Sequence, residues 1–299
     1  MKSKLPGYVF ALSAIMLFAT QDGLSKHLAT HYPPIFIAMI RYWAFAAFVL
    51  VALARSESGV RKATVTRHPV LQTLRGLLLI GEILLFVFSL TQVGLAMTQA
   101  IFQAAPILVT VLSVPLLGER VEWRRWVAVT AALIGVLIIL SPSGGGLSAS
   151  LLLPLTSALL FAIYSVATRA VSYNDSSSTS LFYTAIVGAI AISLVGPLFW
   201  TPVLSSDLPL LGALCICGAL SHYCLIRAYR VLEASEVQPL TYLQLVAGTG
   251  IAICFFDEHV SWNMVAGAAI VVAAGVFIMW RGHRSAKLDC PDNSYPRRR

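Results

Sequence analysis

Charged residues are scarce in this chain of 299 residues: they make up 11% of it, whereas hydrophobic residues make up 58%. Soluble globular domains carry about 25% charged residues. The composition therefore excludes an ordinary soluble domain and indicates an integral membrane protein. The formal net charge of +8 would suit a nucleic-acid surface only if the positive residues were gathered on one face, and they are not.

Sequence signatures of metal, disulfide and nucleotide chemistry are also missing. Four of the five cysteines, Cys215, Cys217, Cys224 and Cys254, lie inside apolar segments, and no spacing typical of a zinc site or a disulfide framework is present. The glycine run at 144–146 lacks the strand, the Lys and the Ser/Thr of a phosphate loop. We therefore expect no catalytic residues, no cofactor and no metal, and the sequence predicts neither an enzyme nor an ATP-driven pump.

Ten apolar runs are long enough to cross a hydrocarbon core, which takes about 20 helical residues. The sequence thus predicts an all-α integral membrane protein with ten transmembrane helices. The runs are Gly7–Leu28, Pro34–Ala54, Leu71–Thr91, Leu95–Leu117, Arg124–Ser141, Ala149–Val171, Ser178–Phe199, Leu208–Val231, Ala234–Phe256 and Ser261–Arg281. The first run follows Lys2 and Lys4, as in a signal peptide, but it is longer than a usual signal core, so we expect an uncleaved first helix.

The positive residues predict the orientation. Of the 21 Lys and Arg residues, all but Lys26 and Arg41 fall on the side that holds both termini. Because positive residues collect on the cytoplasmic side, both termini are predicted to be cytoplasmic. The three final arginines could contact anionic lipid or form a solvated end.

The chain also contains an internal repeat. Gly118-Glu119-Arg120-Val121-Glu122-Trp123 recurs as Asp257-Glu258-His259-Val260-Ser261-Trp262, and Gln99 matches Gln238 at the same offset, 258 − 119 = 139. Five helices per half is an odd number, so the second half enters the membrane upside down, as in many secondary transporters. The predicted units are a first repeat over 1–142, an inverted second repeat over 149–281 and a cytoplasmic tail over 282–299.

These features resemble the EamA-type transporters of the drug/metabolite transporter superfamily. The resemblance rests on ten helices in two halves, Arg41-Tyr42 in the second run, Pro106 in the fourth, and Gly118-Glu119-Arg120 followed by Trp123 and Gly135. The second half departs from the pattern, since Asp257-Glu258-His259 replaces Gly-Glu-Arg and Leu245 stands at the counterpart of Pro106.

The resemblance implies a multi-pass protein of the bacterial inner (plasma) membrane that carries small organic solutes by alternating access. YddG-type amino acid exporters are the most similar branch in general pattern. We therefore expect an exporter of amino acids, aromatic ones included, with membrane lipid and coupling protons as further partners, acting as a monomer or a homodimer. The alternatives are an importer or exchanger of a nucleotide-like metabolite such as S-adenosylmethionine and, much less well supported, a membrane-embedded enzyme.

Polar residues at membrane depth are the candidate site, because charges there are costly and usually face a cavity or a partner. At 1.5 Å per residue, Asp22 and Arg41 come to a similar depth, so we predict an ion pair with a gating role; the alternative is that the pair only pins helices together. Glu82, near the middle of the third run, and His222 in the eighth are candidates for substrate binding and proton coupling, against simple hydrogen bonding between helices.

Uncharged side chains complete the predicted substrate site. Gln99 and Gln103 are four residues apart and share a helical face, and Tyr164 and Tyr242 offer aromatic walls from the second half. Amides and phenols can bind a zwitterion, although hydrogen bonding between helices is an equally good explanation for each Gln.

Overall fold

Every regular element is helical in the computed structural model, which describes residues 5–56, 59–117, 123–140, 149–172, 174–229 and 234–288. Two short 3₁₀ turns, Ala149–Leu151 and Gly196–Phe199, adjoin the helices. The helices are α1 (Leu5–Leu28), α2 (Pro34–Ala54), α3 (Gly59–Ala63), α4 (Pro69–Gln92), α5 (Leu95–Phe102), α6 (Ala105–Leu117), α7 (Trp123–Leu140), α8 (Leu152–Ser172), α9 (Ser177–Val195), α10 (Leu208–Tyr229), α11 (Ala234–Phe256) and α12 (Trp262–Leu288).

Seven helical segments within these residues are long and apolar enough to cross a membrane, and two shorter apolar segments, Leu243–Phe256 and Trp262–Ala274, follow them. Large apolar side chains such as Leu194 and Leu198 are exposed on the outside of the bundle, where lipid solvates them. The chain is therefore a multi-pass membrane protein, while the count of ten crossings remains a prediction.

The helix ends follow local chemistry. α2 and α4 begin at Pro34 and Pro69, where the missing proline N–H costs nothing because the first helical turn has no acceptor for it. α9 is capped by Ser176, whose hydroxyl accepts a hydrogen bond from the backbone N–H of Thr179 at 3.1 Å.

Two features differ from the predicted runs. The fourth run is not one continuous helix, since α5 ends at Phe102 and α6 begins at Ala105. Pro106, in the first turn of α6, cannot donate the hydrogen bond that would continue α5. The short helix α3, which carries Arg61 and Lys62, lies in the connection between α2 and α4 and was not predicted.

The helices pack mainly across the two halves of the chain. α1 packs against α10 and α11, α4 against α8 and α9, α2 against α9 and α10, and α7 against α12, while α5 contacts α11 and α6 contacts α8. Helices α1, α2, α4, α5 and α6 of the first half thus each contact helices of the second half.

α7 and α12 approach closely through two glycines. A Cβ on Gly267 would lie 2.5 Å from the carbonyl oxygen of Gly135 and 2.5 Å from the Ile139 side chain, and a Cβ on Gly135 would lie 2.8 Å from the carbonyl oxygen of Gly267. Backbone and branched side chains cannot move aside cheaply, so both positions require glycine.

We expect Gly267→Ala to lower the free energy of unfolding by about 1–3 kcal/mol, because the added methyl group overpacks this contact. The matched control is Gly250→Ala in α11, where a Cβ meets nothing within 4 Å and the higher helix propensity of Ala is expected to be neutral or stabilising. Thermal unfolding of both variants in detergent checks this, and equal melting temperatures would contradict it.

Candidate functional site

The Asp22 carboxylate is the centre of a buried polar cluster. Asp22 lies in α1, is 6% exposed, and accepts hydrogen bonds from the Gln99 amide of α5 at 2.6 Å and the Gln244 amide of α11 at 3.0 Å. Both amides donate to Oδ2. An acidic side chain of the first half is therefore held by donors from both halves of the chain.

Arg41 does not form the predicted direct ion pair with Asp22. No nitrogen–oxygen distance of 4.0 Å or less joins them, because the Asp22 carboxylate points to α5 and α11 whereas an Arg41 guanidinium N–H faces the Ser25 hydroxyl at 3.4 Å. The two charges remain within electrostatic range of each other. Their gating role stays a prediction.

Glu82 is buried in α4 and faces α8. The Ser157 hydroxyl lies 3.3 Å from its Oε1 and 3.2 Å from its backbone carbonyl oxygen. Asp22 and Arg41 are within electrostatic range of this carboxyl. The three groups therefore form one electrostatic cluster of two acids and one base.

His222 in α10 lies among aromatic rings. Its ring centroid is 4.8 Å from that of Phe45 in α2 and 5.2 Å from that of Phe18 in α1, the latter edge to face. It lines a cavity of about 30 Å³ together with Arg41 and Tyr42 of α2, Gln21 of α1 and residues of α4 and α10. The structure thus brings Arg41 and His222, predicted separately, to one cavity.

The remaining predicted residues are more dispersed. Gln103 is buried at the break between α5 and α6, and Tyr164 lies in α8, where its ring belongs to a chain of aromatic contacts that runs from Phe86 through Phe102 and Phe161. Tyr242 is in α11, but its side chain lies outside the described residues, as do Gln238 and the Glu119 segment.

Arg75 is a functional candidate that the sequence analysis missed, since it was counted only as a positive charge on the cytoplasmic side. It is 1% exposed, donates to the Thr168 hydroxyl at 2.9 Å and to the Gln72 amide oxygen, and lies 5.3 Å from the centre of the Tyr164 ring. Its position inside the apolar run Leu71–Thr91 could have indicated that this arginine is buried.

Asp175 continues this network at the end of the bundle. Its carboxylate accepts hydrogen bonds from the Thr66 hydroxyl, the Gln72 amide and the Arg67 backbone N–H. Burial would raise the pKa of this loop carboxyl, but these hydrogen bonds outweigh it and hold the pKa below its usual range. The loop between α8 and α9 is thereby tied to the start of α4.

A second carboxylate, that of Glu258, joins helices at the opposite end of α4 and α1. We call Glu258, Lys26 and the first turn of α5 together the Glu258 clamp. Glu258 accepts hydrogen bonds from the backbone N–H groups of Leu95 at 2.7 Å and Ala96 at 2.8 Å and pairs with the Lys26 ammonium. A carboxylate at a helix N-terminus is stabilised by unpaired N–H groups and the helix dipole. Glu258 therefore caps α5, a helix of the first half of the chain.

Gly94, which precedes α5, makes the clamp possible. Its φ is +86°, and a Cβ would lie 2.7 Å from Glu258 Oε1. On the other side, Asp257 has a left-handed φ of 51° and the Glu258 N–H bonds to the Ala252 carbonyl oxygen at 3.2 Å, which ends α11. Asp is one of the few residues besides Gly that tolerate this conformation.

Comparison with known proteins matches this architecture. The sequence profile described as the EamA-like transporter family matches residues 5–141 and again residues 148–280. A solved structure, titled only as the crystal structure of a protein, superposes with a TM-score of 0.65 over 96% of this chain and 100% of its own, at 20% identity. That similarity concerns the fold alone.

Curated relatives of similar length carry transporter names. The S-adenosylmethionine uptake transporter of Rickettsia prowazekii is 27% identical, covering 95% of this chain and 96% of its own. The riboflavin transporter of Vibrio cholerae is 27% identical with the same coverage. The pseudopaline exporter of Pseudomonas aeruginosa is 25% identical, covering 90% of this chain and 94% of its own.

We expect Glu258→Ala to reduce protection of the Leu95 and Ala96 amides and to lower the free energy of unfolding by about 1–2 kcal/mol, because the start of α5 loses its cap. Lys26→Met removes the ion pair but leaves the cap, and so should affect these amides less. Hydrogen exchange by mass spectrometry on the α5 peptide measures both. The same loss of protection in the two variants would show that the cap contributes little.

Asp175 predicts a pH dependence of stability. Its folded pKa is depressed, so its stabilising contribution is complete above the unfolded value of about 3.9 and is lost as pH falls through the folded pKa. Between pH 6 and pH 3 the melting temperature of the wild-type protein should therefore fall further than that of Asp175→Asn. Thr66→Val, which removes one donor, should shift the loss to higher pH, and identical pH profiles of all three would contradict the prediction.

Proposed function

The chain belongs to the EamA-like transporter family, and from this premise we propose that it exchanges or imports a nucleoside-like metabolite, such as S-adenosylmethionine, by alternating access. Membership makes it a membrane transporter of small metabolites and not an enzyme. The observation that carries the proposal is that charged groups of one half are held by hydrogen-bond donors of the other: Asp22 by Gln244 and Glu82 by Ser157. A substrate that replaces these contacts changes how the halves bind each other.

The pattern of helix packing supports two inverted repeats. In these repeats the equivalent helices are α1 and α8, α2 and α9, α4 and α10, α5–α6 and α11, and α7 and α12. If each helix is replaced by its equivalent, the α1–α10 contact becomes α8–α4 and the α1–α11 contact becomes α8–α6. Both of these contacts are present. The α2–α9 and α7–α12 contacts map onto themselves. The two matches of the family profile, 5–141 and 148–280, support repeats over 1–142 and 149–281, with 282–299 as a tail.

Features of the bundle support alternating access. The Glu258 clamp closes one end of the cluster by joining α1, α5 and the connection from α11 to α12, and this is the external end if both termini are cytoplasmic, as predicted. α5 and α6 are two parts of one broken helix, and broken helices line the substrate sites of many secondary transporters. Asp22, Arg41, Gln99 and Gln103 lie on or beside these elements.

The names of the relatives favour the nucleotide-like alternative over the amino acid exporter that the sequence analysis put first. S-adenosylmethionine carries a sulfonium and an ammonium group together with a purine. Asp22 and Glu82 are electrostatic neighbours of Arg41, but neither forms an ion pair with it, so both acids are available to a cation or a proton. The aromatic contacts from Phe86 to Tyr164 offer stacking surfaces for a heteroaromatic ring.

Reconstitution tests the proposal. Proteoliposomes should show saturable flux of labelled S-adenosylmethionine that unlabelled S-adenosylmethionine competes away, with riboflavin and aromatic amino acids tested in parallel. Flux of amino acids without flux of S-adenosylmethionine would overturn the substrate and restore the exporter hypothesis.

Proton coupling is tested at Glu82, whose charged and titratable neighbours are Asp22, Arg41 and Tyr42. Glu82→Gln keeps an acceptor for Ser157 but carries no exchangeable charge, so exchange should continue whereas accumulation driven by a pH gradient should be lost. The control is Asp207→Asn, which changes an acid in the connection before α10 that pairs with the Tyr32 hydroxyl. Gradient-driven accumulation that survives in Glu82→Gln would exclude this role.

A further inference from the structure

The cavity between α1, α2, α4 and α10 contains polar atoms that have no partner among the described residues. Gln21 Oε1 and Tyr42 Oη are both fully buried and make no hydrogen bond. The two residues, in α1 and α2, are each 3% exposed and line the cavity. An unsatisfied buried polar group costs about 1–3 kcal/mol. Such a cost is removed when a ligand supplies the missing partner.

Arg41 adds donors to the same cavity. A guanidinium carries five N–H donors, and the contact with Ser25, at 3.4 Å, is a long one. Because no carboxylate in the described part of the chain lies within ion-pair distance of Arg41, its positive charge is available to an anionic group of a ligand.

The two partnerless groups are held in place by glycines on the neighbouring helices. A Cβ on Gly218 of α10 would lie 2.7 Å from Gln21 Oε1, and a Cβ on Gly188 of α9 would lie 2.1 Å from Cε1 of the Tyr42 ring. Both side chains therefore rest directly against backbone. Groups fixed in this way lose little entropy when they bind.

We propose that this cavity binds the α-amino-acid head group of the substrate. The Arg41 guanidinium and the Tyr42 hydroxyl donate to the carboxylate, and Gln21 Oε1 accepts from the ammonium group. The volume of about 30 Å³ corresponds to about two water molecules, so only the charged groups of the head group enter this cavity and the rest of the substrate lies outside it.

The inference rests on the proposed function and sharpens its specificity. Riboflavin has no amino-acid head group, whereas S-adenosylmethionine has one. A site built to hydrogen-bond a polar group rejects analogues that lack it, because its own polar atoms are then left unpaired. The cavity therefore favours S-adenosylmethionine over riboflavin in this chain.

Competition against labelled S-adenosylmethionine in proteoliposomes tests the head-group site. Decarboxylated S-adenosylmethionine and 5′-methylthioadenosine, which lacks the whole head group, should each compete at least ~10-fold more weakly than S-adenosylmethionine itself. Equal competition by all three would overturn the inference while leaving the proposed function in place.

Tyr42→Phe supplies the matching variant, because it removes only the hydroxyl and keeps the ring against Gly188. It should weaken competition by S-adenosylmethionine by ~10-fold and leave competition by decarboxylated S-adenosylmethionine unchanged. The gap between the two compounds, meaning the ratio of their competing strengths, should therefore close. Thr184→Val is the control: Thr184 Oγ1 is also buried without a partner but does not line the cavity, so its loss should leave the gap intact. A gap that persists in Tyr42→Phe, or closes equally in both variants, would overturn the assignment.

The remaining outcomes separate the two proposals. Flux of methionine without S-adenosylmethionine would overturn the proposed function but support the head-group site, provided that 3-methylthiopropylamine, the decarboxylated form of methionine, competes at least ~10-fold more weakly. Flux of riboflavin alone, without competition by any compound that carries an amino-acid head group, would overturn both.

Discussion

Placing a carboxylate in a hydrocarbon core is unfavourable in free energy. In this protein, hydrogen bonds from two amides, one in α5 and one in α11, offset that cost at Asp22. Lys26 lies four residues further along α1, hence on the same face and about 6 Å higher, and contacts Glu258, which caps α5 and follows α11. Between them a Cβ on Gly23 would lie 2.8 Å from Ile251 of α11. One face of α1 is therefore joined to α5 and α11 at two levels.

In the proposed alternating-access mechanism, this arrangement couples Asp22 to the end of the bundle that the Glu258 clamp closes. Opening the end closed by the Glu258 clamp separates Lys26 and the start of α5 from Glu258, and rigid helices transmit that displacement to Asp22 one turn below. In the proposed mechanism, a cationic substrate or a proton that weakens the hold of the two amides on Asp22 therefore also weakens the clamp. In the same mechanism, α5 moves independently of α6, because the helix is broken between Phe102 and Ala105.

The sequence predicted helical runs, because apolar length is a direct consequence of membrane thickness, and it singled out polar residues that the structure buries, such as Asp22, Glu82 and Gln99. It did not predict their partners. Rise per residue gives the height of Asp22 and Arg41 but not the direction that each side chain takes around its helix. The two charges are therefore neighbours without direct contact, and the amides of Gln99 and Gln244 were not identified as the partners of Asp22. Arg75 was missed because a charge count cannot distinguish a buried arginine from one in a loop.

Relatives that share 25–27% identity carry names with different substrates, so the features common to the fold say little about what is carried. The contacts of Glu258 with α5, of Gly135 with Gly267, and of Asp257 at the end of α11 involve backbone groups and serve helix packing whatever the substrate. Gln21 Oε1 and Tyr42 Oη, by contrast, are buried without partners among the described residues at a site bounded by glycines, so these two polar atoms lower the stability of the folded state. In the head-group site that we propose, both atoms gain a partner when the substrate binds.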